Sequence, residues 1–176
     1  LGVGSLKDEF DVLGLGGTEF TERGARGDDA LRALRASLGQ REPEYHGPYY
    51  DYSGLVIDPC AVQQHMPLWI GGRSARSLRR AVELADGWMP FGLDYDAMAA
   101  FLAKARETQA WQERINSLEV ILRPPGLLDP IGDPEACAGH LRQVFAVGGT
   151  KADLHITSTS SAHFVEQLEA LAGLEV

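Results

Sequence analysis

Pro67-Leu68-Trp69-Ile70-Gly71-Gly72-Arg73-Ser74, followed one helix-length later by Leu84-Ala85-Asp86-Gly87-Trp88, is the stretch on which the fold turns. Pro67 opens a short apolar run, Leu68 to Ile70, that stops at two glycines, as a buried strand does. From about Ser74 the spacing changes. Ala75, Leu78, Val82 and Ala85 recur on one stripe of a helix, with Arg76, Arg79, Arg80 and Glu83 outside it. Asp86-Gly87 ends that helix, and Trp88-Met89-Pro90-Phe91 has the character of the next strand.

The same alternation continues on both sides. Downstream, Asp94 or Asp96 can cap a helix with Met98, Phe101, Leu102 and Ala105 on its stripe. Leu118 to Leu122 is a strand ended by Arg123-Pro124-Pro125, and Asp133-Pro134 opens a helix with Leu141, Val144 and Phe145 inward. Ala152 to Thr157 is the next strand, and a Ser-rich turn leads to a helix carrying Phe164, Val165, Leu168, Leu171 and Ala172. Upstream, Leu1 to Gly4 can be the tail of a strand. A helix from Thr21 carries Ala30, Leu31, Leu34 and Leu38, with Gly39 as its stop. Arg41 to Gln64, with Pro43, Pro48, Pro59 and four tyrosines between Tyr45 and Tyr52, reads as an ordered excursion around a short hairpin. Strand and helix alternate five times, which calls for a parallel sheet. The pattern alone leaves two architectures, a small open α/β sheet or the back portion of a barrel, because a whole eight-fold barrel takes about 250 residues.

Composition narrows the function. The chain has 176 residues, 44% hydrophobic and 23% charged, with 16 basic against 25 acidic side chains and a formal charge of −9. That balance repels nucleic acid while leaving room for a local anion site built from backbone amides and a few arginines. No apolar run reaches the length of a membrane span. Cys60 and Cys137 form no CxxC pair and no zinc-type cluster, so two free thiols in a cytoplasmic setting, and no metal, are expected. The sequence opens at Leu1 without a methionine and is read as one barrel segment over residues 1–176 of a longer chain.

Two sets of residues carry a resemblance. The first is Leu1-Gly2-Val3-Gly4-Ser5-Leu6-Lys7-Asp8-Glu9-Phe10 with Phe20-Thr21-Glu22-Arg23-Gly24. The second is Tyr49-Tyr50-Asp51-Tyr52-Ser53-Gly54 with the Pro67–Ser74 and Leu84–Trp88 stretches. Together they resemble the luciferase-like monooxygenase superfamily, in particular its branch dependent on coenzyme F-420. The resemblance implies a partial (β/α) TIM barrel, about the fourth to eighth strand–helix units, with the irregular excursion after the first helix. It also implies a flavin- or deazaflavin-dependent oxidoreductase or monooxygenase acting on a small organic substrate. The cofactor would be coenzyme F-420, with FMN as alternative, and complete relatives would be homodimers. The catalytic residues would lie in N-terminal strands that this sequence does not contain. The family's usual Lys-Pro pair is replaced by Cys60-Ala61, and a glycine often found after the Ser5 position is absent. The rival readings are a non-catalytic fragment that binds a cofactor or partner weakly, and an unrelated α/β phosphate-binding module.

Gly71, Gly72, Arg73 and Ser74 lie at a strand-to-helix junction, where free N–H groups and the positive end of the helix suit an anion. On the residues alone a plain tight turn is the competing reading. By resemblance the four positions match the family's cofactor-phosphate contact. A Gly72→Val substitution is expected to block that ligand without disturbing the fold. Barrel enzymes put chemistry at the C-terminal ends of strands, so Gly4, Ser5, Phe91, Arg123 and Ser158 are rim candidates. Arg123 can bind an anionic group or simply be a solvated arginine. His46, His65, His140, His155 and His163 form no ligand pair or triad and are assigned structural roles. The Tyr45–Tyr52 cluster is either a lid or hairpin packing. A lone segment with unpaired sheet edges is expected to associate, aggregate or unfold easily, without turnover.

Overall fold

The computed structural model describes residues 1–2 and 19–176, so the expected rim positions Gly4 and Ser5 lie outside the described residues. A 3-10 turn at Phe20–Glu22 leads into α1 (Arg23–Ser37), and Gly39, at φ +82, follows it where the sequence places the stop. The excursion contains an antiparallel hairpin of β1 (Tyr45–His46) and β2 (Asp51–Tyr52). Then come β3 (Trp69–Gly71), α2 (Ala75–Leu84), β4 (Gly87–Met89), α3 (Tyr95–Arg106) and a short α4 (Gln109–Gln112). The chain continues through β5 (Glu119–Leu122), α5 (Pro134–Ala146), β6 (Lys151–Ala152) and α6 (Ser161–Ala172). Helix starts follow side-chain chemistry. Ser74, Asp94, Thr108, Asp133 and Ser160 each accept from the backbone N–H three residues on, and Pro134 occupies the first turn of α5.

The four strands β3-β4-β5-β6 lie in chain order, and every pair is parallel. Leu1 extends the order by one place: its amino group donates to Trp69 O at 2.6 Å and its carbonyl accepts from Gly71 N at 2.7 Å. That alternation is the bonding pattern of a parallel neighbour.

Parallel strands whose order never reverses, joined by crossovers that are right-handed as a rule, put every connecting helix on the same face. The side chains agree. Leu68, Ile70, Trp88, Leu118, Val120 and Leu122 join one buried cluster with residues of α1, α2, α3 and α5. The alternate strand positions turn the other way. Trp69 Nε1 donates to Glu119 Oε2 at 2.7 Å, and Lys151 Nζ donates to Glu119 Oε1 at 2.6 Å. An open doubly wound sheet has helices on both faces, whereas a barrel wall has them on one. The barrel alternative is the one realised.

Several expectations need correction. Arg80, expected outside the α2 stripe, is buried at 7% exposure, because α1 packs there and supplies Asp28 and the Gly24 carbonyl as partners. Ala75 lies in the exposed first turn of α2 rather than in its stripe. Phe145 is 45% exposed, since Val144 takes the inward position and the next residue is turned about 100° away. The strand expected over Ala152–Thr157 pairs with β5 only at Lys151 and Ala152. Pro124 and Pro125 offer no N–H to lengthen that ladder, and Ile156 forms an isolated parallel bridge with Leu128 instead. The single turn α4, capped by Thr108, has no counterpart in the apolar spacing of the sequence. Cys60 and Cys137 are free thiols, and no helix among the described residues is long and apolar enough to cross a membrane.

Candidate cofactor-phosphate site

The loop from Gly71 to Ser74 leaves the end of β3 and turns into α2. Gly72 adopts φ +125, and a Cβ there would stand 2.8 Å from Ser77 Cβ, so both backbone and packing require glycine. Ser77 is the anchor that the sequence did not flag. Its N–H donates to Ser74 Oγ at 3.2 Å, its hydroxyl donates to Ser74 O at 2.7 Å, and it accepts from Ser74 N and from Trp88 Nε1, each at 3.3 Å. Trp88 is fully buried, so the loop is tied to the core through one serine hydroxyl. The signal was available as Ser three residues after Ser, a capping-box spacing with an unusual second member. With the cap in place, the N–H groups of Ala75 and Arg76 have no acceptor among the described residues. They face outward in an exposed first turn.

Charge gathers at the same place. Arg73 and Arg76 are exposed, and neither has an acidic partner among the described residues. The neighbouring arginines of α2 are committed, Arg79 to Glu83 at 3.7 Å and Arg80 to Asp28. Arg73 extends across the strand ends, with Nη1 3.9 Å from where a Cβ on Gly92 would stand, beside the exposed Phe91. The structure thus brings Gly71, Gly72, Arg73, Ser74 and Phe91 to one end of the sheet. Arg123 lies on the same rim beyond β5 but is not free: its Nε and Nη2 both reach Asp153 Oδ2, Nε at 2.8 Å. Ser158 is exposed in the turn before α6.

The opposite end of the strands holds the other half of the deciding sequence. Asp86 accepts from Leu68 N at 2.7 Å, from His65 Nε2 at 2.7 Å and from Arg35. Burial pushes its carboxyl up; the Leu68 N–H, His65 and Arg35 together outweigh that and hold it below its ordinary range. Gly87 is needed because a Cβ would meet the Trp69 ring at 2.7 Å and Glu119 O at 3.0 Å. An open cleft of about 460 Å³ lies beside Asp86, lined by residues including Leu31, Arg35, His65 and Leu84. It sits at the strand starts, the end that barrels use for stability rather than chemistry. His46 is held between Glu44 and Asp51 and His163 by Thr159, and no group of metal-ligand type occurs among the described residues. The tyrosines pack the hairpin onto α1. Tyr52 donates to Ala33 O at 2.8 Å, and the buried Asp29 accepts from Tyr49 N and Tyr50 N at 2.9 and 3.1 Å.

The family model for luciferase-like monooxygenases matches residues 1–130. An uncharacterized protein of Mycobacterium tuberculosis is 30% identical over 122 residues, which is 68% of this chain and 41% of that one. An FMNH2-dependent dimethylsulfone monooxygenase of Pseudomonas putida is 28% identical over 85 residues, 48% of this chain and 23% of that one. Among solved structures, a long-chain alkane monooxygenase superposes with TM-score 0.67 at 13% identity, over 97% of this chain and 61% of its own. A coenzyme F420-dependent tetrahydromethanopterin reductase from Methanopyrus kandleri gives 0.50 at 15% identity, over 98% and 65%. The chain therefore spans less than half the length of the mycobacterial relative.

Proposed function

This chain belongs to the luciferase-like monooxygenase family, and on that premise we propose that it forms the phosphate-holding side of a flavin or deazaflavin site in an oxidoreductase. The carrying observation is the pair of N–H groups at Ala75 and Arg76 and the guanidinium groups of Arg73 and Arg76, none of which has an acceptor or acidic partner among the described residues. In a chain of net charge −9, that concentration of donors suits a phosphate monoester or diester. Ser74 caps the helix as an acceptor and keeps its hydroxyl proton for the ligand, while Gly72 keeps the backbone close to it.

When bound, the cofactor supplies hydride transfer or oxygen activation on a small organic substrate. The residues described here bind and orient its phosphate. Coenzyme F-420 is the first choice, with FMN as alternative, since the relatives include users of each by name. The free thiols Cys60 and Cys137 fit a reducing, cytoplasmic setting. The substrate and the reaction belong to the whole protein, of which this chain covers the phosphate side.

Gly72→Val is a poor test, because the side chain would strike Ser77 and reshape the loop itself. Arg73→Gln combined with Arg76→Gln breaks no side-chain hydrogen bond or ion pair among the described residues. The double variant should bind FMN and F-420 at least tenfold more weakly than the parent and leave riboflavin, which lacks the phosphate, unchanged. Equal FMN and F-420 affinity in parent and variant would overturn the assignment.

A further inference from the structure

The rim next to the phosphate loop changes character along its length. Burial alternates along β4 and past its end: Trp88 and Pro90 are buried, Met89 is half-buried and Phe91 is 62% exposed. Phe91 therefore continues the row of side chains that turn away from the helices. Gly71 is level with Met89, so one pleat further on the same register puts Arg73 level with Phe91. On the other flank Trp88 is level with Val120, which brings Arg123 level with Phe91. The charge of Arg123 is met by Asp153, whereas Arg73 has no acidic partner among the described residues. Along the strand ends there is thus an uncompensated cation, then an apolar ring, then a neutralised ion pair. The backbone on both sides of the ring is constrained. Pro90 has its φ fixed, and Gly92 turns the chain at φ +62.

We infer that Phe91 is a specificity residue of the phosphate site: its ring packs against the uncharged body of the molecule whose phosphate the Gly72 loop holds. The inference rests on the phosphate reading and deepens it. Neighbouring strands are about 4.8 Å apart, so the ring stands on the strand next to the anion, within reach of the atoms that follow the phosphate. An exposed phenyl ring leaves apolar surface in water, and a ligand that covers it gains free energy that a bare anion cannot. A polyol chain offers C–H groups and a flavin or deazaflavin ring offers a flat face, and both suit a phenyl ring. A second anionic group at that place does not, because the only uncompensated charge on this stretch of rim is already committed to the phosphate. The site therefore favours an organic phosphate with an uncharged body over the free anion. Phe91 orients that body and takes no part in the chemistry.

The test uses the full chain with three probes: inorganic phosphate, FMN and riboflavin. Phe91→Ala should weaken FMN and riboflavin by the same factor, about tenfold, and bind inorganic phosphate as the parent does. Phe91→Tyr keeps the ring and should bind both flavins as the parent does. The urea midpoint of Phe91→Ala should stay at the parent's value, because the ring is exposed. A ring that only props the loop would shift that midpoint and weaken inorganic phosphate as well. The Arg73 and Arg76 double variant supplies the complementary pattern, a loss with FMN and none with riboflavin. A Phe91→Ala variant that binds both flavins like the parent, or that loses inorganic phosphate along with them, would overturn the inference and leave the phosphate reading standing. A parent that binds FMN no more tightly than riboflavin removes the phosphate reading, and this inference with it.

Discussion

The two faces of one sheet behave as different materials. On the helix side, Ile70, Trp88, Val120 and Leu122 are almost wholly buried in a single apolar cluster. On the other side, the alternate residues Trp69, Glu119 and Lys151 are bonded to one another, and half of the Lys151 side chain is exposed. The same backbone carries both, since side chains of a strand alternate. The difference teaches where each property of the molecule comes from. The main apolar cluster lies on the helix side, the other side combines the buried Ile121, 3% exposed, with polar bonding, and the proposed binding groups sit at the strand ends where the two meet.

The largest expected effect contrasts two tryptophans. Trp88→Ala should cost about 3–5 kcal/mol by urea denaturation, as for other fully buried aromatics. It should also loosen the loop that Trp88 supports through Ser77. Trp69→Ala should cost clearly less, about 1–2 kcal/mol, because its ring is partly in water and it loses one hydrogen bond. Equal losses would mean that the open face is covered in solution, and the contrast would collapse.

Next come two glycines. Gly87→Ala drives a methyl against the Trp69 ring and the Glu119 carbonyl, at 2.7 and 3.0 Å, and should destabilise by about 1–3 kcal/mol. Gly71→Ala meets nothing closer than 3.6 Å and should stay within about 0.5 kcal/mol of the parent in the same measurement. A neutral Gly87→Ala would show that Trp69 does not lie across that strand.

How much of this was legible depended on the face. The helix-side residues announce themselves by apolar spacing, and the five strand–helix alternations and the parallel order follow from them. The open face has no such pattern: Glu119 and Lys151 look like ordinary surface charges until the ladder puts Ile121 level with Lys151. Arg80 was misplaced for the same reason, as its partner Asp28 is 52 residues away. At the site, the glycines and Ser74 were visible as a strand-to-helix junction, but Ser77 and the Arg123–Asp153 pair depend on contacts that no local spacing reveals. Asp86, read only as a helix end, proves to tie α1, through Arg35, to the stretch before β3, through His65 and Leu68 N.

Asp86 gives the third prediction. Its folded pKa is depressed, so its contribution is fully present above the unfolded carboxylate pKa, about 3.9, and is lost as pH falls through the folded value. Asp86→Asn should cost about 1–2 kcal/mol at neutral pH, through weakened bonds to Arg35, His65 and Leu68 N. Parent and variant should then converge in stability as the solution is acidified below the ordinary carboxylate range. Denaturation curves that stay parallel down to the acid limit would show that Asp86 is not the titrating buckle.

The smallest effect tests the open face most directly. Glu119 is held below its ordinary range chiefly by the Lys151 ammonium, with the Trp69 N–H adding to it against a modest burial cost. Its contribution therefore has the same sign as that of Asp86: present above the unfolded carboxylate pKa, lost as pH falls through the folded one. Yet Lys151 and Glu119 keep 49% and 34% of their side chains in solvent, so the pair is screened and should be worth only about 0.2–1 kcal/mol. Glu119→Gln should cost that little at low salt, and raising the ionic strength from about 0.01 to 1 M, which shortens the Debye length from about 30 to 3 Å, should erase most of it. The Asp86→Asn deficit should survive the same salt, because two of its three partners reach it in a half-buried pocket. If the Glu119→Gln deficit is as salt-resistant as that of Asp86→Asn, the ion pair is shielded from solvent. The two faces would then be equally closed, through association of the chain with itself or with further strands laid across the sheet.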